Sequence, residues 1–95
     1  MKVCALYRQN SEHARKIEEF LHEFSRLYPD RKIEVIDLDT RDGAATASLY
    51  DIVRYPAVLA LTDDGQLTRS WEGDQLPLIS EVASYASPEL HAAFL

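Results

Sequence analysis

The sequence predicts an α/β domain with a four-stranded mixed sheet and helices on both faces. Three observations predict it. Short runs of strand-forming residues alternate with segments whose apolar residues recur at helical spacing. The first three segments read strand, helix, strand, which implies a parallel pair joined by a right-handed crossover. Asp63-Asp64-Gly65 is then a hairpin turn between two further strands, which adds an antiparallel pair. The predicted order is β-α-β-α-β-β-α. The 95 residues make one domain, 1–95, with a core over 2–86 and a short tail over 87–95.

Residues 3–7 are apolar and suit a first strand. Arg8, Gln9, Asn10 and Ser11 are polar, and Asn10 or Ser11 is placed to cap the following helix. From Ala14 the apolar positions are Ile17, Phe20, Leu21, Phe24, Leu27 and Tyr28, and Arg15, Lys16, Glu18, Glu19 and Glu23 fill the other face. Pro29-Asp30 stops that helix. Residues 32–39 alternate through Ile33 and Val35 and, after Ile36, Leu38, as a strand rich in β-branched residues. Residues 39–43 turn the chain, and 44–52 read as a helix with Leu49 and Ile52 inward. Residues 58–61 form an apolar strand after Pro56. Residues 66–72 return as a strand with Leu67, Arg69 and Trp71 on one face, and Trp71 as core cover. Leu78, Ile79, Val82 and Tyr85 give the last full helix, over 76–86. Ser87-Pro88-Glu89 starts a final short turn. The apolar tail residues Leu90, Phe94 and Leu95 either fold back or join a second copy, so a monomer or a weak homodimer is expected.

Composition narrows the classes of function. A net charge of −6 without a Lys/Arg run argues against nucleic-acid binding. No stretch approaches the roughly 18 apolar residues that span a bilayer, so no membrane role is expected. The N-terminal apolar run is too short for a signal peptide, and the expected location is the cytoplasm. The single cysteine, Cys4, excludes an intrachain disulfide and a Cys-based zinc site. It reads as a small buried hydrophobe. His13, His22 and His91 are scattered, so neither a metal nor a cofactor is expected.

Residues 50–61 run from a helix end through Tyr55-Pro56 into an apolar strand. This segment resembles the part of thioredoxin-like proteins in which a cis-proline opens a central strand and faces a Cys-x-x-Cys pair. Other positions are similar to that family too. Ile36-Asp37-Leu38-Asp39 looks like its second core strand, and Tyr50-Asp51-Ile52 stands where it carries Tyr-Gly-Val. Gly65 falls in its hairpin turn, and Gly73 on the glycine before its last helix. The resemblance covers residues 2–86 and implies a thioredoxin-like fold. The dithiol would fall on Asn10-Ser11-Glu12-His13 or on Ser11-Glu12-His13-Ala14, and both cysteines are absent in either register. Asn10-Ser11 is also similar to the first helix start of the circadian KaiB family, thioredoxin-like chains without a dithiol.

Dithiol exchange needs a thiolate and a second thiol to resolve the mixed disulfide. A seryl hydroxyl stays protonated without a strong base and cannot replace it. Ser11 and His13 are too close in sequence to orient as nucleophile and base. They read as a cap and an exposed first-turn residue. The helix N-terminus carries free N–H groups and a partial positive charge. In the proteins it resembles, this point lies beside the proline loop. Arg8, Asn10, Ser11, His13, Tyr55 and Pro56 are the expected rim of a groove for a peptide or protein partner. The expected function is a redox-inactive binding or adaptor domain. The alternative is a glutathione-associated or single-Cys oxidoreductase using Cys4.

Overall fold

A computed structural model describes residues 1–73 and 75–86. The elements follow the expected order: β1 (Lys2–Tyr7), α1 (Ala14–Leu27), β2 (Ile33–Asp37), α2 (Arg41–Leu49), β3 (Ala57–Leu61), β4 (Leu67–Glu72) and α3 (Ile79–Tyr85). The sheet order is β2-β1-β3-β4. β1 and β2 are parallel, and β3 is antiparallel to both β1 and β4. The two apolar runs with the fewest polar residues are therefore the two central strands, as burial on both faces requires.

Each face of the sheet has its own core. Val3, Ala5, Tyr7 and Val58 pack under α1 and α3, against Ile17, Phe20, Phe24, Val82 and Ala83. Cys4, Leu6, Ala57, Leu59 and Leu61 pack on the other face with Leu38, Ala47 and Ile52. The alternation along β1 divides its side chains between the two cores. In α1 the buried residues Ala14, Ile17, Phe20 and Phe24 follow one stripe. Fully burying a side chain such as Phe24 or Ile17 contributes about 2 kcal/mol. Leu27, beyond the stripe, is exposed.

α2 is held differently. The Thr40 hydroxyl accepts from the Gly43 N–H at 3.0 Å and donates to the Asp37 carbonyl at 2.6 Å. A Cβ at Gly43 would stand 1.9 Å from the Asp37 carbonyl oxygen, so only glycine lets α2 lie this close to the end of β2. The helix starts three residues before the expected 44 and stops at Leu49. Gly43 and Ala47 form its buried face, so Leu49, two residues past Ala47, points to the opposite side and is 72% exposed, against the expectation that it faces in. Ile52 does reach the core, from a turn in which Asp51 takes φ 56° and the Ile52 N–H bonds to the Ala47 carbonyl at 2.9 Å.

Three smaller departures have simple causes. Val35 is exposed because β2 is an edge strand. A register shift between Ala60 and Leu61 pairs Leu67 with Leu61 but Arg69 with Ala60, so Leu67 leaves the alternation that joins Arg69 to Trp71. Trp71 is half-buried against the α1 and α3 core, with the Arg69 guanidinium 5.0 Å above its ring. Leu78 is the exposed N-cap of α3, while Ile79 packs inward. The predicted turn at 87–89 and the apolar tail lie outside the described residues.

Candidate functional site

β1 ends at Tyr7, and the chain then makes a tight polar loop into α1. The Arg8 N–H donates to His13 Nε2 at 3.3 Å, and the Ser11 hydroxyl donates to the Arg8 carbonyl at 2.5 Å. The Ala14 N–H donates to the Ser11 carbonyl at 3.2 Å. This corrects the expected cap. His13 is the N-cap residue of α1, and no side chain caps the helix. The Ser11 hydroxyl is spent as a donor within the loop. Asn10 is exposed on the same loop, and His13 is half-buried instead of lying in an exposed turn.

The His13 ring stands between two tyrosines. Its centroid is 6.5 Å from the Tyr7 ring, edge-on, and 6.5 Å from the Tyr55 ring at a shallower tilt. Tyr7 is buried, and its hydroxyl donates to Glu18 Oε2 at 3.3 Å. Burial, then the Glu18 carboxylate, pushes the Tyr7 hydroxyl pKa up. The Tyr55 hydroxyl donates back to the Ile52 carbonyl at 2.7 Å, which fixes its ring.

The Tyr55–Pro56 peptide bond is cis. Pro56 is fully buried, and its carbonyl accepts from the Gly73 N–H at 3.0 Å. Gly73 has φ 91°, and a Cβ there would come 3.2 Å from the Arg54 guanidinium, which lies over it. Among the described residues, none bonds to the main-chain N–H or C=O of Tyr55. These groups sit beside an open depression of about 460 Å³, lined by Glu12, His13, Arg15, Lys16, Glu19 and Tyr55.

The six expected rim residues thus divide. His13 and Tyr55 line the depression. Arg8 and Ser11 shape the loop that carries His13, and the Arg8 side chain turns away to Asp39, 3.1 Å from Nε to Oδ1 in an exposed pair. Pro56 is buried and joins Tyr55 through the cis bond. Asn10 is not among the residues that line the depression. Glu12, Arg15, Lys16 and Glu19 also line it and were not expected. Lys16 and Glu19, three residues apart, share one face of α1, and Glu12 lies just before the helix.

Cys4 lies in the other core, on the face of the sheet away from Tyr7. It is 1% exposed. Burial pushes its thiol pKa up, and the nearby Glu34 adds to the shift. That environment disfavours a thiolate. Among the described residues, no three His, Cys, Asp or Glu side chains are grouped to hold a metal ion. No helix among them is long and apolar enough to cross a membrane.

Strand order, the crossover and the placement of one helix against two define a thioredoxin-like fold. Solved structures agree. Thioredoxin O2 from Arabidopsis thaliana in the oxidized state superposes with a TM-score of 0.64 at 17% identity, covering 87% of this chain and 69% of that one. Thioredoxin 1 from the thermophilic eubacterium Thermosipho africanus superposes with a TM-score of 0.60 at 16% identity, covering 90% of this chain and 89% of that one. No family model matches the chain, and no curated protein matches its sequence. The similarity therefore lies in the backbone plan.

Proposed function

We propose that the chain is a redox-inactive thioredoxin-like binding or adaptor domain. It recognises an extended peptide or protein segment laid against Tyr55 and the first turn of α1. One observation carries this reading: the Tyr55 N–H and C=O stand unpartnered among the described residues, beside a depression walled by His13 and Tyr55. An extended segment pairs with such groups as a strand pairs with a sheet edge, and its side chains fill the neighbouring depression. The chain's single cysteine, buried in the opposite core, supports a role without thiol exchange. A cytoplasmic location is part of the proposal.

The test begins with a displayed library of random peptides selected against the full chain. The best peptide is then titrated into isotope-labelled protein. We expect the amides of His13 and Tyr55 to shift most. Shifts confined to a remote surface, such as the β2 edge, would sink the reading. Insulin reduction in the presence of dithiothreitol separates the alternative. The expected rate equals that of the reductant alone. Turnover above it that Cys4→Ser abolishes would instead establish a single-Cys oxidoreductase.

A further inference from the structure

We propose that His13 is a protonation switch that sets the shape of the α1 rim. The inference deepens the peptide-binding reading and rests on it for its consequence. Its chemistry can be read in the free chain.

Nε2 of His13 accepts the Arg8 N–H at 3.3 Å. A neutral imidazole has one acceptor nitrogen, and a protonated one has none. The bond therefore exists only while His13 is neutral. Protonation sets an N–H against the Arg8 N–H and expels one from the other. Among the described residues the other tie from Arg8 to the helix start is indirect: the Ser11 hydroxyl donates to the Arg8 carbonyl, and the Ser11 carbonyl accepts from the Ala14 N–H. The Arg8 side chain is held by Asp39, outside the rim.

The surroundings of the ring come from three elements. From β1, Tyr7 presents a ring edge, and its hydroxyl is engaged by Glu18. Asp37, at the end of β2, acts on the same tyrosine. From α1 and its leading turn, Glu12 and Lys16 share the depression with His13, while Arg15 and Glu19 pair with each other at 3.3 Å. From the segment before β3, Tyr55 presents an uncharged ring. Glu12 and Lys16 oppose each other in sign, and no carboxylate is hydrogen-bonded to the imidazole among the described residues. The charge gained on protonation thus has no built partner, and the rim responds by releasing Arg8.

The neutral form is the ordered one. A peptide that docks on it meets a rim already in place, whereas the protonated form must be ordered on binding. Acidification that protonates His13 should weaken binding.

The experiment is a pH titration of the full chain followed by magnetic resonance, first free and then with the selected peptide. In the free chain the Arg8 amide, the Tyr55 ring and the His13 imidazole should move with one midpoint. The Arg8 amide should also lose protection from exchange on the acid side. In His13→Gln, whose side-chain oxygen accepts a hydrogen bond but does not titrate, the Arg8 and Tyr55 signals should stay flat. With peptide, affinity should fall about three- to tenfold on acidification, the scale of one net hydrogen bond. That fall should vanish in His13→Gln. An Arg8 amide that ignores the His13 midpoint overturns the switch even if peptide binds well. So does a pH dependence of binding that His13→Gln retains. If no peptide binds, the binding reading fails alone, and the free-chain titration still decides the switch.

Discussion

At the scale of single residues, close approach and burial make the sharpest statements. Gly43→Ala forces a Cβ to within 1.9 Å of the Asp37 carbonyl oxygen, so α2 must lift from β2. We expect a loss of about 3 kcal/mol, the upper range for overpacking, measured by urea unfolding. Gly65→Ala is the comparison. Unlike Gly43 it has a positive φ, 90°, and its Cβ would meet nothing closer than the Tyr50 hydroxyl at 3.7 Å. Only backbone strain remains, about 1 kcal/mol. Cys4 gives a pH dependence with a definite sign. Its folded pKa is raised, so the folded chain keeps a proton that the unfolded chain loses near the ordinary value of 9.0. This contribution to stability is complete below that value and declines as pH climbs from it toward the folded value. Tyr7, raised from 10.0, adds a decline of the same sign at higher pH. Urea midpoints measured against pH should fall on the alkaline side, and Cys4→Ala should remove the earlier part of the fall. Glycine at 43 was visible in the sequence, but its purpose was not, because the atom it avoids belongs to another element.

At the scale of elements, legibility followed side-chain size. α1 was readable because Ile17, Phe20 and Phe24 mark its buried stripe with large groups. Phe24→Ala should cost about 4 kcal/mol. α2 misled because its buried positions are Gly43 and Ala47, which carry no hydrophobic signal, while its one large apolar residue points to solvent. Leu49→Ala should therefore change stability by less than about 0.5 kcal/mol. The two substitutions, compared by the same unfolding curve, test whether the burial assignment is right. The candidate site was half legible. Tyr55-Pro56 announces itself as an X-Pro turn before an apolar run. The place of His13 between Tyr7 and Tyr55 depends on β1 pairing with β3, a non-local fact. Ser11 misled for a chemical reason: a hydroxyl donates as readily as it accepts, and a near carbonyl at Arg8 outcompeted the helix N–H groups.

At the scale of the molecule, two cores share two central strands. β1 and β3 each give side chains to both faces. A fault on one face must therefore be felt on the other, and the chain should unfold in one step. Leu59→Ala, on the α2 face, offers the check. Trp71, the chain's one tryptophan, packs against the opposite core. Its fluorescence transition should shift to lower urea together with the far-ultraviolet signal. Separate midpoints would mean that the two layers come apart independently.

The central position of β1 has a practical consequence. Cys4 sits mid-strand, flanked by Glu34 on β2 and Leu59 on β3, and is covered by the α2-side core. A small thiol reagent can reach its sulfur only when the covering α2-side core opens. Labelling under native conditions therefore counts openings of that face, and its rate should follow the equilibrium population of open chain when reclosing is fast. This buried cysteine becomes a built-in clock for opening, without any engineered probe.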